Sequence, residues 1–588
     1  MKKKFACRFK AAVLLFVLVL LVQGCTSSRV RVPYVLTVAH LNDTHATLEP
    51  SPLKLNIGGN MIYTNMGGFP ATAAKIDSLR KEKENFLFLH AGDVFQGTLY
   101  FIKYGGMADL AFLKLMKLDA MCTGNHEFDK GPAALAAFID AAGGQFPVLS
   151  ANIDAEKEPL LNGKIKPYEI KELGSRKIGI IGLTTQETPG VSSPGPNIVF
   201  NDPVKAAKTA VAELTRQGIN IIVLLSHRGF HEDIALAETI PGIDVVVGGH
   251  THTLTGRFEN IPELTPEADY PYVVKNSRKE KVLVVQAWEK DKVLGVLEVK
   301  FDSGGHVTGY SGSPLILTGD KAADYMQKNA DGQKVTVDEA TFNRIKNFIE
   351  GNNSIEMVSV APGIAELLEG FSGPIRELKR TMIGQCDADL WHVREPGDIH
   401  ETAGKLENGS LIAPVVADAL LWKARSVKNK NTRIVIQNAG SVRCDLPKGN
   451  VTIGQVYELL PFENTLVLFD LTGAQIREVL RATIIRKDGA FPYTAGLRYS
   501  ADLRRTGDDF FTTIEVRDGK NWIPLKDDDI YPVAVNSFIA SGKDGYTVFE
   551  TAPGSYDTGF IDAEIFMDYL KEVKTLTLSE NRVTLVGK

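Results

Sequence analysis

Through the first half of the chain, short apolar runs alternate with amphipathic stretches. "YVLTVAHLND", "FLFLHAGD", "AMCTGNHE", "FPVLSAN", "KIGIIGLT", "NIIVLLSH", "DVVVGGHTH" and "KVLVVQAW" contain apolar runs of strand length, the pattern of strands buried on both faces. Between them "MGGFPATAAKIDSLRKEK", "DPVKAAKTAVAELTRQG" and "HEDIALAETIP" repeat apolar residues at helical spacing. This alternation, over residues 35–317, predicts a layered α/β domain with helices covering the sheets. Over 318–382 the pattern changes: "DEATFNRIKNFIEG" and "GIAELLEGFSGPIRELKR" read as amphipathic helices separated by the polar "NNSIEM", which predicts a helical linker or hinge. Over 383–588 a helix pattern ("APVVADALLWKARS") mixes with strand patterns ("TRIVIQNAG", "TLVLFDL", "YPVAVNSF"), predicting a second, smaller mixed α/β domain. A chain of 588 residues exceeds what one hydrophobic core supports, in line with this division.

The N-terminus reads differently. "MKKKFACRFK" carries the charges of a signal n-region and "AAVLLFVLVLLV" an apolar h-region, so residues 1–25 read as a secretory signal. "LVQGC" is similar to the box of bacterial lipoprotein signals, which makes Cys25 the lipidation site, residues 26–34 a short tether and the membrane a partner through that anchor. An uncleaved transmembrane anchor is the alternative, although the apolar run falls short of the ~20 residues a span needs. Both readings place the folded protein outside the cytoplasm, in the periplasm or at the cell surface. Composition is ordinary for a globular protein, at 44% hydrophobic and 23% charged residues. A net charge of −5 gives no reason to expect a nucleic acid polymer as partner. Beyond the signal, Cys122, Cys386 and Cys444 are widely spaced and odd in number, which is no disulfide framework; free thiols are expected, with a Cys386–Cys444 bridge as the alternative.

The ends of the predicted strands carry the chemistry. "HLNDTH" offers Asp43 and His45, "AGDVFQG" Asp93, "GNHEFD" Asn125, His126 and Asp129, "LLSH" His227, and "GGHTH" His250 and His252. In open α/β sheets ligands bind beyond the carboxyl ends of strands, where these residues would converge. Imidazole, carboxylate and amide oxygen together suit divalent ions such as zinc or manganese rather than calcium. Taken singly, each residue has a plainer reading: a hydrogen-bonded structural histidine, an aspartate helix cap, an asparagine turn. Five successive strand ends with the same chemistry outweigh those readings. His40, His90, His231 and His306 stay structural by the same standard.

In this order the five motifs resemble the calcineurin-like metallophosphoesterases. "IQNAGSVR", "LPFENTL", "NSFIASGKDGY" and "TGFIDAE" narrow the resemblance to the bacterial 5′-nucleotidase/UDP-sugar hydrolase family. It implies an αββα metallophosphoesterase domain joined to a 5′-nucleotidase substrate-binding domain. It also implies two divalent cations: Asp43, His45, Asp93 and His252 around one, Asp93, Asn125, His227 and His250 around the other. His126 and Asp129 match the catalytic dyad; Glu127 has no role there and is read as structural. Phe462 and Phe538 match the aromatics that sandwich the base, although each on its own reads as core. Asn438 and Arg443 match positions contacting base, ribose or phosphate, Asp544 one that binds ribose hydroxyls, and Arg394, in "HVREPGD", is a looser match for a substrate arginine. Ala439 and Ser441 stand where glycines are common, and Lys543 replaces part of a Gly-Gly-Asp. With "ENGSLIAP" and "SGKDGY", these features resemble the subgroup that cleaves NAD.

The resulting expectation is an extracytoplasmic, monomeric 5′-nucleotidase using two metal ions. It would hydrolyse nucleoside 5′-monophosphates and also UDP-sugars or NAD at the pyrophosphate bond. The rivals are 2′,3′-cyclic nucleotide or sulfur-ester hydrolysis at the same site, and a non-enzymatic surface protein that binds nucleotides.

Overall fold

All eight apolar runs of the first half form strands, and their alternate residues define the central core. The computed structural model describes residues 34–587 apart from 259–260, 262–263 and 428–430. The signal and Cys25 lie outside the described residues. An eight-stranded sheet has the order Ile355–Val358, Val307–Gly319, Leu294–Phe301, Tyr34–Leu41, Phe86–His90, Ala120–Cys122, Val148–Leu149, Ile165–Lys166. A six-stranded sheet has the order Tyr272–Lys275, Lys281–Val285, Val245–Gly248, Ile222–His227, Arg176–Thr184, Tyr168–Leu173. Leu36, Val38, Leu87, Leu89, Ala120 and Cys122 of the first sheet meet Ile178, Ile180, Val223, Leu225, Val245 and Val247 of the second in one buried cluster. The spacing of two within each strand is what a sheet face requires. Residues on the opposite faces, such as Ala39 and Phe88 or Ile181 and Val246, pack with helices Phe69–Glu82, Pro203–Arg216 and Phe230–Thr239. The result is a helix–sheet–sheet–helix sandwich.

The segment expected to be a linker, 318–382, is divided. Strands Met326–Lys328 and Lys334–Thr336 extend the hairpin Ser51–Ile57/Asn60–Met66 into a four-stranded sheet, and Ile355–Val358 pairs in parallel with Val307–Gly319. The polar "NNSIEM" therefore leads into a sheet edge, and strands as far as Val358 pair with those of the first domain. The second expected helix, Pro362–Leu378, does connect the domains, but it is docked on the first: the Tyr100 hydroxyl lies 2.7 Å from Ser372 Oγ and the Tyr104 hydroxyl donates to the Phe371 carbonyl at 2.8 Å. Only 379–381 separate that helix from strand Met382–Cys386. There the Lys379 and Thr381 carbonyls accept from Gly454 and Ile453 of the second domain.

The second domain is built on a five-stranded sheet, Pro492–Ala495, Ile434–Asn438, Ile530–Asn536, Thr465–Thr472, Tyr556–Ile561, flanked by helices Ala413–Ala424, Gly473–Arg486 and Asp562–Val573. Cys122, Cys386 and Cys444 are free thiols, as expected. Among the described residues no helix is long and apolar enough to cross a membrane.

Candidate active site

Both sheets aim the carboxyl ends of parallel strands at one point. Asp43, Asp93 and Asn125 follow strands Tyr34–Leu41, Phe86–His90 and Ala120–Cys122 of the first sheet; His227 ends Ile222–His227 and His250 follows Val245–Gly248 in the second. Asp43, His45, Asp93, His250 and His252 all hold left-handed backbone, with φ between 48° and 77°. Non-glycine residues adopt that conformation at a cost and cluster where structure holds them for function. Glycines make the close approach: a Cβ on Gly124 would meet Asp93 Oδ1 at 2.1 Å, and one on Gly249 would crowd Asp43 and His227.

The seven expected ligands converge. Asp43, His45 and His252 form one group and Asp93, His227 and His250 another, each with ligand atoms within 4.8 Å of one another. Hydrogen bonds fix several tautomers. His227 Nδ1 lies 2.8 Å from the Ala91 carbonyl and His45 Nδ1 3.2 Å from the Phe95 carbonyl. Carbonyls only accept, so both Nδ1 atoms carry protons and both Nε2 atoms face inward. His252 Nδ1 lies 3.1 Å from Glu289 Oε2, which directs its Nε2 inward as well. His45 Nε2 and His252 Nε2 then face each other at 3.0 Å, with Asp43 Oδ1 3.4 Å from His252 Nε2. Asn125 Oδ1 is buried without a hydrogen-bond partner. Asp43 and Asp93 are buried, and among the described residues the ion-pair partners of both are imidazoles. Imidazole nitrogens converging with two carboxylates that lack Lys or Arg, and an orphaned amide oxygen, fit a pair of divalent cations. Burial depresses His45 to about 3 and His250 to about 4, the neutral form that a ligand needs, whereas the carboxylates beside His227 (Asp93 and Asp43) and His252 (Asp43 and Glu289) outweigh burial and raise those rings to about 9 and about 10.

His126 occupies a 3-10 turn, His126–Phe128, with Nδ1 2.6 Å from Asp129 Oδ2. Burial works against its charge, but Asp129 and Asp93 outweigh burial and raise it to about 10. Ser192 Oγ donates to the other Asp129 oxygen at 2.6 Å. Glu127, read as structural, holds the loops together. Its Oε1 accepts from the backbone N–H of Val94 and Phe95, its Oε2 from those of Asp93 and Gly124. The structural histidines are also as expected: His40 stacks on Tyr270, His90 bonds Thr44, and His231 pairs with Glu267 at the surface.

In the second domain Arg394, Asn438, Arg443, Phe462, Phe538 and Asp544 all line one cavity of 680 Å³. Phe462 is 49% exposed and Phe538 half-buried, so neither is a core residue. The Arg443 guanidinium lies 5.5 Å from the Phe462 ring centre. Asn438 Oδ1 accepts from Ser441 and Asn536, and its amide reaches Asp544 Oδ2 at 3.5 Å. A second cavity of 630 Å³ contains His45, Asp93, Asn125, His126, His250 and His252, and the two share Phe462, Asn464 and Phe538. Glu289, Ser192 and Asn464 were not singled out from the sequence. For Glu289 the one local signal is its place in "WEKD" at the end of the predicted strand "KVLVVQAW", which marks a strand end but not its partner His252.

Comparison with known proteins agrees with the two-domain fold. Residues 36–254 match the calcineurin-like phosphoesterase family and residues 392–551 the 5′-nucleotidase C-terminal domain. A probable 5′-nucleotidase of Treponema pallidum is 36% identical over 556 residues, 92% of each chain. An NAD 5′-nucleotidase of Haemophilus influenzae is 34% identical, covering 91% of this chain and 90% of that one. The solved NAD nucleotidase from Haemophilus influenzae superposes with a TM-score of 0.81 at 31% identity, over 95% of this chain and all of that one. A 5′-nucleotidase precursor from Thermus thermophilus, 40% identical over 94% of this chain and all of that one, superposes with a TM-score of 0.58. The chain belongs to the 5′-nucleotidase family of metallophosphoesterases and is a hydrolase of that family.

Proposed function

We propose that this protein hydrolyses nucleoside 5′-monophosphates to nucleoside and phosphate, and dinucleotides of the NAD type or UDP-sugars at the pyrophosphate bond. The observation that carries the reading is the continuity of the two cavities. A nucleoside held by Phe462, Phe538, Asn438, Arg443 and Asp544 would direct its 5′-phosphate through the shared Asn464 region to His126 and the metal ligands. Stacking on aromatic faces tolerates different bases, which suits broad nucleotide use. Arg394 and Arg443 supply positive charge at the same cavity.

Asp43, His45 and His252 would hold one cation, and Asn125, His227 and His250 the other, with Asp93 between them; zinc and manganese suit the donors. Such cations supply Lewis acidity toward phosphoryl oxygens. His126, kept protonated by Asp129, would neutralise charge that develops on those oxygens in the transition state. The Gly559 loop of the second domain lies directly on the His126 ring, where even a Cβ would come within 2.6 Å of Nε2, and so limits water around it. Residues 379–381 serve as the hinge between domains. The weaker superposition of a relative with higher identity supports a variable domain arrangement.

The charged and apolar pattern of residues 1–25, read as a secretory signal ending at Cys25, supports a lipid-anchored, extracytoplasmic enzyme, which we take to act as a monomer. A panel of AMP, UDP-glucose, NAD and 2′,3′-cyclic AMP, with manganese or zinc and then chelator, tests the substrate reading. Turnover of AMP and NAD is expected; turnover of the cyclic nucleotide alone would replace it.

A further inference from the structure

We infer that Lys290 and Glu463 form a clasp between the domains that sets the base platform at its working distance from the metal loops, which makes both positioning residues. The inference rests on the division of labour just proposed. Lys290 Nζ is ion-paired with the Glu463 carboxylate, and the two side chains are only 16% and 19% exposed. Each is rooted next to chemistry. The Lys290 backbone N–H donates to the Asp43 carbonyl at 2.7 Å, and its neighbour Glu289 orients His252. Glu463 stands between Phe462 and Asn464, and Asn464 is tied back to Asp562 through a backbone bond of 2.9 Å and an amide contact of 3.3 Å. Lys290 and Glu463 both hold left-handed backbone, at φ 55° and 52°. Two ion pairs joined by a peptide bond therefore link His252 through Glu289 and Lys290 to Glu463, the chain neighbour of Phe462.

Exposed ion pairs contribute little, whereas a buried pair is costly to form and retained where it selects one arrangement over others. This pair is shielded only when the two domains meet, so its attraction acts in that arrangement alone. A second contact spans the same seam, from the Gln96 amide to the Glu564 carboxylate. The clasp thus matters for substrates that need both domains and not for a phosphate ester without a nucleoside.

The test compares AMP with p-nitrophenyl phosphate in metal-loaded full-length protein. Lys290→Met and Glu463→Gln should each lower kcat/KM for AMP by about 10-fold or more while p-nitrophenyl phosphate stays within about 3-fold. The exchanged pair Lys290→Glu/Glu463→Lys should regain most of the AMP rate lost by Lys290→Glu alone. Equal losses on both substrates, or an exchanged pair no better than the worse single variant, would overturn the clasp. Small-angle scattering of the same variants needs no substrate: a wider spread of domain arrangements is expected in Lys290→Met, and a profile identical to wild type contradicts the proposal. Failure of the underlying functional reading is separate, since wild-type protein would then leave AMP intact.

Discussion

Replacing Glu127 by glutamine tests how the metal loops are held. The wild-type carboxylate takes four backbone N–H groups: Val94 at 2.7 Å and Phe95 at 3.2 Å on one oxygen, Asp93 at 3.0 Å and Gly124 at 2.5 Å on the other. Burial and the neighbouring Asp93 push this carboxyl up to about 7, yet all four contacts are donors that only a full acceptor satisfies. In Glu127→Gln one oxygen becomes an NH2 group, so in either orientation two backbone donors face another donor. Hydrogen bonds to a charged acceptor are each worth about 1.5–3 kcal/mol, so losing two removes about 3–6 kcal/mol from this loop. The loop also carries Asp93 in left-handed backbone, and it would relax by turning Asp93 away from both ligand groups. Changes just behind metal ligands typically lower metal affinity about 10–100-fold, and that is the expected loss. Chelator competition gives the affinity, and titration of activity against free metal shows whether saturating metal restores the rate. A Glu127→Gln protein with wild-type metal affinity and wild-type turnover would refute the argument.

Three further outcomes follow from the site and its surroundings. Asp129→Asn removes the nearest counter-charge from His126, so kcat should fall by about 10²–10³ with metal content unchanged, as on loss of one transition-state donor. Its alkaline limb should also move to lower pH, because the ring sheds its proton earlier; an unchanged pH–rate profile contradicts the dyad. Phe462→Ala or Phe538→Ala should cost about 1–3 kcal/mol of nucleotide recognition, read as kcat/KM for AMP. Equal loss on p-nitrophenyl phosphate would place the rings outside base binding. Asp109, buried in helix Met107–Leu115 with neither oxygen bonded, is pushed well above the carboxylate range by burial. Its folded form keeps the proton that the unfolded chain releases near pH 4, so its contribution to stability declines as pH rises from there, by up to 1.36 kcal/mol per unit. Asp109→Asn should therefore match wild type in melting temperature near pH 4 and gain on it toward pH 7; a constant difference across that range would contradict the assignment.

The site was readable because five buried strands each end in side chains that packing cannot use. Asp43, Asp93, Asn125, His227 and His250 announce themselves locally, and the parallel topology brings them together. Glu289 could not be read in this way, since its partner His252 lies on another loop and nothing in "WEKD" implies that contact. Residues 318–358 misled for a related reason. Strands Met326–Lys328 and Lys334–Thr336 are mostly exposed and lack the apolar alternation by which strands are recognised; they exist through pairing, Met326–Lys328 with the hairpin strand Asn60–Met66 and Lys334–Thr336 in turn with Met326–Lys328. Phe462 and Phe538 were assigned from resemblance, because an aromatic in a motif reads as core until its exposure is known.

A pair of cations caged by side chains from five strand ends is the centre of the proposed site. Its most direct test is metal analysis of purified, active protein alongside turnover during chelation and re-addition. Close to two equivalents of zinc or manganese per chain are expected, with activity lost on chelation and restored by the metal. Full activity in protein that contains no divalent metal would contradict it.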